Sequence, residues 1–173
     1  MLISRISELA FDMTGIRLIS FCFVAASVLL SGCGGGGYGG YKNAPYTVMG
    51  RRYHPMSVDQ GLHYRATGLA SWYDERKMFG LIGGTTALGE RFKAGALAGA
   101  HKTLPLPCRI RVTNLNNGKS VKLRLNDRGP YVGNRILDVT PRAASRLGFK
   151  DQGLTRVRIE VLSVGDGKWR RRR

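Results

Sequence analysis

Residues 109–127 read RIRVTNLNNGKSVKLRLND, and this stretch decides the fold class of the chain. On both sides of Asn117-Gly118, apolar residues alternate with polar or charged ones with a period of two. The apolar positions are Ile110 and Val112 before the turn and Val121, Leu123 and Leu125 after it. Such alternation is typical of half-buried strands, and Asn-Gly is a strong hairpin signal. The stretch predicts two antiparallel strands with cationic outer faces.

The same period recurs in residues 156–161, and further strands are expected at residues 69–73 and 135–139. One helix is expected over residues 141–147, because Thr140 suits the N-cap position and a proline and a glycine stand where a helix starts and stops. Six or so short strands with one or two short helices predict a mainly β (all-β) fold. We expect these strands to close into a small barrel, which removes sheet edges.

The N-terminal segment looks like an export signal. An apolar run, residues 18–30, follows Arg17 and ends in Leu30-Ser31-Gly32-Cys33, which is similar to a bacterial lipobox. We expect cleavage before Cys33 and lipidation of its thiol, with a plain signal peptide or an uncleaved anchor as alternatives. Either Met1 or Met13 can be the start. Gly34 after the cysteine favours the periplasmic face of the outer membrane within the cell envelope.

The formal net charge is +17 and the pI is about 10.6. Such an excess of positive charge often indicates nucleic-acid binding, but export argues against that partner and favours anionic components of the envelope. If Cys22 leaves with the signal peptide and Cys33 carries lipid, Cys108 has no partner for an intramolecular disulfide. The three histidines have no ligand spacing, so neither a metal nor another cofactor is expected.

The chain divides into five predicted segments. Residues 45–66 contain β-prone residues around a glycine and suggest a small hairpin, with residues 56–64 as a loop. The segments are a lipoprotein signal peptide (1–32), a Gly-rich flexible tether (33–44), the hairpin and loop extension (45–66), the barrel domain (67–163) and a basic C-terminal tail (164–173).

Four motifs occur in this chain in the order typical of the rare lipoprotein A (RlpA) family, and the resemblance extends over about residues 45–162. They are GLASWY at 68–73, TALGERF at 86–92, AHKTLPLP at 100–107 and NDRGPY at 126–131. The resemblance implies a six-stranded double-psi β-barrel and lytic transglycosylase activity on peptidoglycan strands poor in stem peptides. Many members add a peptidoglycan-binding SPOR domain, and we expect none in this chain. Leu88 stands where members usually have Asn or Ser, beside the expected site.

Glycoside cleavage needs a carboxylic acid to protonate the leaving oxygen and a group that stabilises the developing positive charge. Asp127 ends an alternating strand at the barrel rim, although the residues alone favour a role in stabilising the turn at the strand exit. Glu90 can likewise be an exposed acid paired with Arg91. His101 can orient a carboxylate or have a structural role. The resemblance implies that Asp127, Glu90 and His101 are catalytic, without deciding which carboxylate is the acid.

Three hypotheses of function follow. The first is a peptidoglycan lytic transglycosylase that cleaves the MurNAc–GlcNAc bond and leaves 1,6-anhydroMurNAc ends. The second is a non-catalytic peptidoglycan-binding lipoprotein with the same groove, and the third is a basic adhesin that links membrane and wall through residues 170–173. Trp72 is either a sugar platform or part of the core. The expected substrate-binding residues are Trp72, Tyr73, Lys102 and Arg128.

Overall fold

The computed structural model describes residues 41–74, 76–77 and 82–170. The expected signal peptide, the lipidation site Cys33 and residues 171–173 lie outside the described residues. Within the described part, no helix has both the length and the apolar composition needed to cross a bilayer.

The described residues form mostly strands, with two short α-helices and a single 3-10 turn. The strands are β1 (Tyr46–Val48), β2 (Arg51–Tyr53), β3 (Arg65–Trp72), β4 (Arg76–Lys77), β5 (Ile82–Gly83), β6 (Ala98–Ala100), β7 (Cys108–Asn114), β8 (Ser120–Asp127), β9 (Arg135–Val139), β10 (Leu154–Val164) and β11 (Trp169–Arg170). The helices are α1 (Val58–Leu62) and α2 (Pro141–Leu147), and the 3-10 turn is Gly165–Gly167.

Six of these strands close into a barrel in the order β10, β3, β9, β6, β8 and β7, and β7 pairs again with β10. Two pairs, β3 with β9 and β6 with β8, are parallel, and the other pairs around the barrel are antiparallel. Closure leaves no free edge in the ring. The predicted mainly β fold with a six-stranded barrel is confirmed.

The interior of the barrel is filled by the apolar residues that alternate along its strands. Ile110, Val112 and Leu125 have no exposed surface, and Leu123 is 3% exposed. The residues between them face outward, so the outer surface of β7, β8 and β10 is rich in arginine and lysine. The period of two therefore sets which face of each strand is buried.

The N-terminal extension contains a hairpin and a helix. β1 and β2 pair as an antiparallel hairpin through Tyr46 and Tyr53, as the sequence predicts. The expected loop at residues 56–64 was wrong, because α1 forms there. A capping box starts this helix: the Ser57 side chain accepts from the Gln60 N–H, and the Gln60 side chain accepts from the Ser57 N–H.

Helix α2 has the predicted bounds. The Thr140 hydroxyl accepts a hydrogen bond from the Ala143 N–H, and Gly148 ends the helix in the left-handed conformation at φ 72°. The barrel strand β6 was not expected, because its three residues are all small and give no alternating pattern. Gly99 at its centre lies so close to β9 that a Cβ atom would be 2.6 Å from the Asp138 carbonyl oxygen.

Candidate active site

The site forms where β8 ends. Along β8 the side chains of Leu123, Leu125 and Asp127 face the interior, while Arg124 and Asn126 face outward. Asp127 is the last residue of the strand and only 9% of its surface is exposed. A carboxylate therefore lies at the mouth of the barrel, on a backbone that the neighbouring strands hold in place.

Three donors hold the Asp127 carboxylate. Its Oδ1 accepts from the Ala87 N–H at 2.8 Å and from the Arg128 N–H at 2.7 Å, and its Oδ2 accepts from the Tyr73 hydroxyl at 3.3 Å. Burial raises the pKa of Asp127, and the three hydrogen bonds together with the Arg128 charge oppose that rise without cancelling it. The residue is thus more easily kept protonated than an ordinary aspartate.

A tight turn at residues 86–90 joins Asp127 to Glu90. The Gly89 N–H donates to the Thr86 carbonyl at 2.8 Å, and Gly89 has φ 82°, a conformation that glycine adopts without strain. The turn lies against β8, because the Leu88 N–H donates to the Asn126 carbonyl at 3.2 Å. Leu88 itself packs against the barrel core, so its side chain helps to fix the turn.

Glu90 binds the outward face of β8. Its Oε2 accepts from Arg124 Nη1 and from Asn126 Nδ2, both at 2.8 Å. Partial burial opposes ionisation, but these two bonds and the charge of Arg124 outweigh it and lower the pKa of Glu90. Arg124 is itself held by two further bonds to Asp166, at 2.6 and 2.9 Å. Glu90 is therefore an anion with a fixed orientation.

Glu90 lines a cavity of about 340 Å³ together with Tyr73, Phe92 and Arg124. The rings of Tyr73 and Phe92 are in contact, with centroids 5.2 Å apart. Because the Tyr73 hydroxyl also bonds Asp127, the tyrosine connects the cavity to the buried acid. Glu90 and Asp127 thus approach the end of β8 from its two faces, one with a lowered pKa and the other with a raised one.

His101 is buried, with 4% of its surface exposed. Its Nδ1 accepts from the backbone N–H groups of Thr103 and Leu104 at 3.1 and 3.0 Å, so the ring proton is on Nε2, 3.1 Å from the Tyr64 hydroxyl. Burial, with the charges of Arg128 and Lys102, lowers the pKa of His101 to about 3. Both ring nitrogens are occupied by groups other than the two carboxylates, so the imidazole shapes the loop after β6.

Arg128 and Lys102 donate hydrogen bonds to backbone carbonyl groups near the two acids. Arg128 Nη1 donates to the Leu104 carbonyl at 2.5 Å, and its guanidinium lies 5.3 Å from the centre of the Tyr46 ring. Lys102 Nζ donates to the Arg135 carbonyl at 2.9 Å, and burial and then the charge of Arg51 lower the pKa of Lys102. These contacts make Arg128 chiefly a support for the loop.

Trp72 and Tyr73 are neighbours in sequence but line different cavities. The Trp72 indole N–H donates to the Lys150 carbonyl at 2.9 Å, and its ring borders an open, mainly apolar cavity of about 540 Å³ with Leu69, Val132 and Leu154. The structure therefore brings Tyr73, and not Trp72, to the two acids.

Arg124, Asn126 and Tyr64 were not among the residues selected from the sequence. Arg124 and Asn126 are the outward residues of a strand whose inward residues end in Asp127, so their spacing carried a usable signal. No sequence signal pointed to Tyr64, because it contacts His101 from 37 positions away in the chain. Among the described residues, no three His, Cys, Asp or Glu side chains come together in a way that could hold a metal ion.

Comparison with known proteins identifies the family. The double-psi β-barrel family described as lytic transglycolase matches residues 65–159, from the start of β3 into β10. The chain belongs to the RlpA family. It is 52% identical over 117 residues to the endolytic peptidoglycan transglycosylase RlpA of Rickettsia prowazekii, covering 68% of this chain and 35% of that protein.

A second RlpA-family relative, the endolytic peptidoglycan transglycosylase RlpA of Neisseria meningitidis serogroup A, is 49% identical over 123 residues, covering 71% of this chain and 49% of that protein. The chain thus spans about a third to a half of the length of these RlpA relatives. Among solved structures, the Streptomyces papain inhibitor is similar at a TM-score of 0.45 and 18% identity, covering 58% of this chain and 96% of that one.

Proposed function

We propose that the protein is a peptidoglycan lytic transglycosylase that cleaves the bond between MurNAc and GlcNAc and closes a 1,6-anhydro ring on the muramyl residue. The observation that carries this proposal is the pair of acids at the end of β8, with the pKa of Asp127 raised and that of Glu90 lowered. Two carboxyl groups whose pKa values are shifted in opposite directions can supply a proton donor and a stable anion to the same reaction. The names of the relatives agree with this activity.

Asp127 is the proton donor in this mechanism. Its Oδ1 is occupied by two backbone N–H groups, so the proton is carried on Oδ2. Asp127 gives this proton to the bridging oxygen while the bond from that oxygen to C1 of the muramyl residue breaks. The 6-hydroxyl oxygen of the same residue then bonds to C1, and its proton returns to the Asp127 carboxylate. No water is consumed, and Asp127 ends in its starting state.

Glu90 remains ionised throughout the reaction and stabilises the positive charge that develops on the sugar ring. Its Oε2 accepts hydrogen bonds from Arg124 and Asn126. Its Oε1 has no hydrogen-bond partner among the described residues, and the Glu90 side chain lines the cavity, so Oε1 is the oxygen available to the sugar. The ring of Tyr73, which packs on the buried Phe92, supplies apolar surface on which a sugar ring can rest. His101 acts through the loop of residues 101–104, by accepting two of its N–H groups.

We further propose that the protein is attached to the envelope through lipid on Cys33 and acts at the periplasmic face of the outer membrane. The support is the lipobox-like sequence at residues 30–33 and Gly34 after the cysteine. Stem-peptide-poor glycan is the proposed substrate. Cys33→Ser should abolish processing or release the protein from membrane fractions, whereas a mature variant that still requires detergent would count against lipidation.

The decisive experiment incubates the protein with glycan strands freed of stem peptides and analyses the products by mass spectrometry. Products that end in 1,6-anhydroMurNAc from the unmutated protein, reduced about a hundredfold or more in Asp127→Asn, would support the mechanism. Asp151→Asn is the matched control, because Asp151 is an exposed acid on the loop before β10.

The alternative function is non-catalytic binding of peptidoglycan by the same groove. It would be favoured by glycan binding without any anhydro product from the unmutated protein. If Asp127→Asn released the full amount of anhydro product, the proposed activity would stand, but the assignment of Asp127 as the acid would be overturned.

A further inference from the structure

The outer surface of the barrel carries cations that the proposed reaction does not use. We define the basic face as Arg109 and Arg111 on β7, Lys122 on β8 and Arg158 on β10, all of which are exposed. These residues project from three consecutive strands of the barrel. Asp127 faces the interior from the end of β8, so the basic face is separate from the buried acid.

The strand register places two of these cations directly opposite each other. Arg111 is paired with Lys122 across β7 and β8, and Arg158 is two residues from Glu160, which is paired with Arg111 across β10. Glu160 lies 3.5 Å from Arg111. Among the described residues, no carboxylate forms an ion pair with the other three cations of the basic face.

Like charges directly opposite each other on a sheet are destabilising. Glu160 offsets the charge of Arg111, but among the described residues no ion pair offsets the charge of Lys122, so a negative charge from outside the chain would stabilise this pair. Within the described part of the chain, two carboxylates act on these four cations. Glu160 contacts Arg111. The hydrogen bond from Arg124 and also the charge of Arg109 lower the pKa of Asp166. A local excess of positive charge remains at Lys122 and Arg158. The face is complementary to an anionic surface.

The course of the chain indicates which surface this is. The ring of Tyr41, the first described residue, packs on Trp169 with centroids 5.4 Å apart, and the next residue, Lys42, donates its N–H to the Leu106 carbonyl at 2.8 Å. Trp169 is on β11, which pairs with the end of β10 that also pairs with Arg109. The segment from the expected lipid site thus reaches the barrel beside the basic face.

Residues 34–40, between the expected lipid site and the described part of the chain, are six glycines and one tyrosine, and seven residues can extend over at most about 25 Å. We propose that the basic face docks the barrel onto an anionic lipid bilayer. Docking supplies a counter-charge to Lys122 and Arg158, and it orients the barrel relative to the bilayer, which attachment at a single point does not do.

The test uses the full chain reconstituted in vesicles of phosphatidylcholine, with or without phosphatidylglycerol. An amine-reactive reagent labels lysines, and peptide mass spectrometry compares Lys122 with Lys150, which is exposed and lies outside the basic face. The comparison rests on the lipidation of Cys33 proposed above: lipid attaches the chain to both kinds of vesicle, so attachment itself does not alter the result. We expect phosphatidylglycerol to slow labelling of Lys122 about fivefold and to leave Lys150 unchanged, with the protection lost at about 0.5 M salt.

The triple variant R109Q/R111Q/R158Q should lose the protection of Lys122, because each cation near an anionic surface contributes about a factor of five and three contribute about a hundredfold. The matched control is R52Q/R142Q/R146Q, which removes the same charge from exposed positions on β2 and α2. If the triple variant does not fold, Arg158→Gln alone should reduce the protection partially.

Equal labelling of Lys122 on the two kinds of vesicle would overturn the proposal. So would protection by dissolved DNA or heparin without any protection by phosphatidylglycerol, since that result would make a soluble polyanion the partner. Loss of protection in the control variant to the same extent as in R109Q/R111Q/R158Q would show that total charge, and not the basic face, is responsible.

Discussion

The Tyr73 hydroxyl donates a hydrogen bond of 3.3 Å to Oδ2 of Asp127, while the ring of the same tyrosine lines the cavity that contains Glu90. One side chain therefore contacts the buried acid and borders the cavity proposed to hold the sugar. The bond favours the ionised form of Asp127 and opposes the effect of burial. Tyr73 thus moderates how strongly Asp127 retains its proton.

Tyr73→Phe should shift the pH dependence of cleavage. Removing the hydroxyl raises the pKa of Asp127 further, because one of the bonds that lowers it is lost. An acid that must be protonated loses activity as the pH rises through its pKa, so the alkaline limb of the rate profile should move to higher pH. The pH profile of kcat measures this, and an unchanged or lowered limb would contradict the role of Tyr73.

Asp127→Asn should leave the protein as stable as the parent, or more stable, at pH 7. Because the pKa of Asp127 is raised in the folded protein, the protonated side chain is tolerated there better than the ionised one. The stability that protonated Asp127 contributes is fully present below the ordinary aspartate pKa of about 3.9 and is lost as the pH rises through the folded-state pKa. Asn carries no charge, and its Oδ1 can still accept from Ala87 and Arg128. A gain on the order of 1 kcal/mol at pH 7 that vanishes at low pH is expected from urea unfolding. A marked loss of stability at pH 7 would contradict the burial argument.

Glu90→Gln should have the opposite pH dependence of stability. Because the pKa of Glu90 is lowered in the folded protein, its contribution is present above the unfolded-state pKa and is lost as the pH falls through the folded-state value. We expect a loss of about 1 kcal/mol at pH 7 and little difference in strong acid. Glu160→Gln is the control, since Glu160 contacts Arg65 and Arg111 at 3.8 and 3.5 Å on the outer surface and should cost less.

His101 should remain neutral over the whole working range of pH. Burial and two neighbouring cations lower its pKa to about 3, and two backbone N–H groups occupy Nδ1. Nitrogen NMR of the imidazole should find the proton on Nε2 and no titration between about pH 5 and 8, the range in which an ordinary histidine titrates. A titration in that range would show that His101 is far more accessible than its burial indicates.

Gly99→Ala should disrupt the barrel. The new Cβ atom would be 2.6 Å from the Asp138 carbonyl oxygen, which belongs to a paired strand and cannot move independently. A loss of about 3 kcal/mol or a failure to fold is expected. At Gly95 a Cβ atom would meet nothing within 4 Å, so Gly95→Ala should change the free energy of unfolding by less than about 0.5 kcal/mol. Thermal unfolding of both variants provides the comparison.

The sequence by itself determined the elements whose causes are local. The alternation in residues 109–127 was sufficient for β7 and β8, because the side-chain period of a strand is visible in neighbouring residues. The bounds of α2 followed from Thr140 and Gly148 for the same reason. The capping box of α1 was also local, and it was overlooked because the helix is only five residues long.

Only the tertiary structure decided which functional groups meet. Glu90 binds Arg124 and Asn126, which are 34 and 36 positions away, and no local pattern relates them. Closure of the barrel also separated Trp72 from Tyr73 and occupied both nitrogens of His101 with its own loop and Tyr64. Motifs select the residues, but the pKa values of Asp127 and Glu90 depend on burial and on partners from distant strands. Those features arise only when the six strands close.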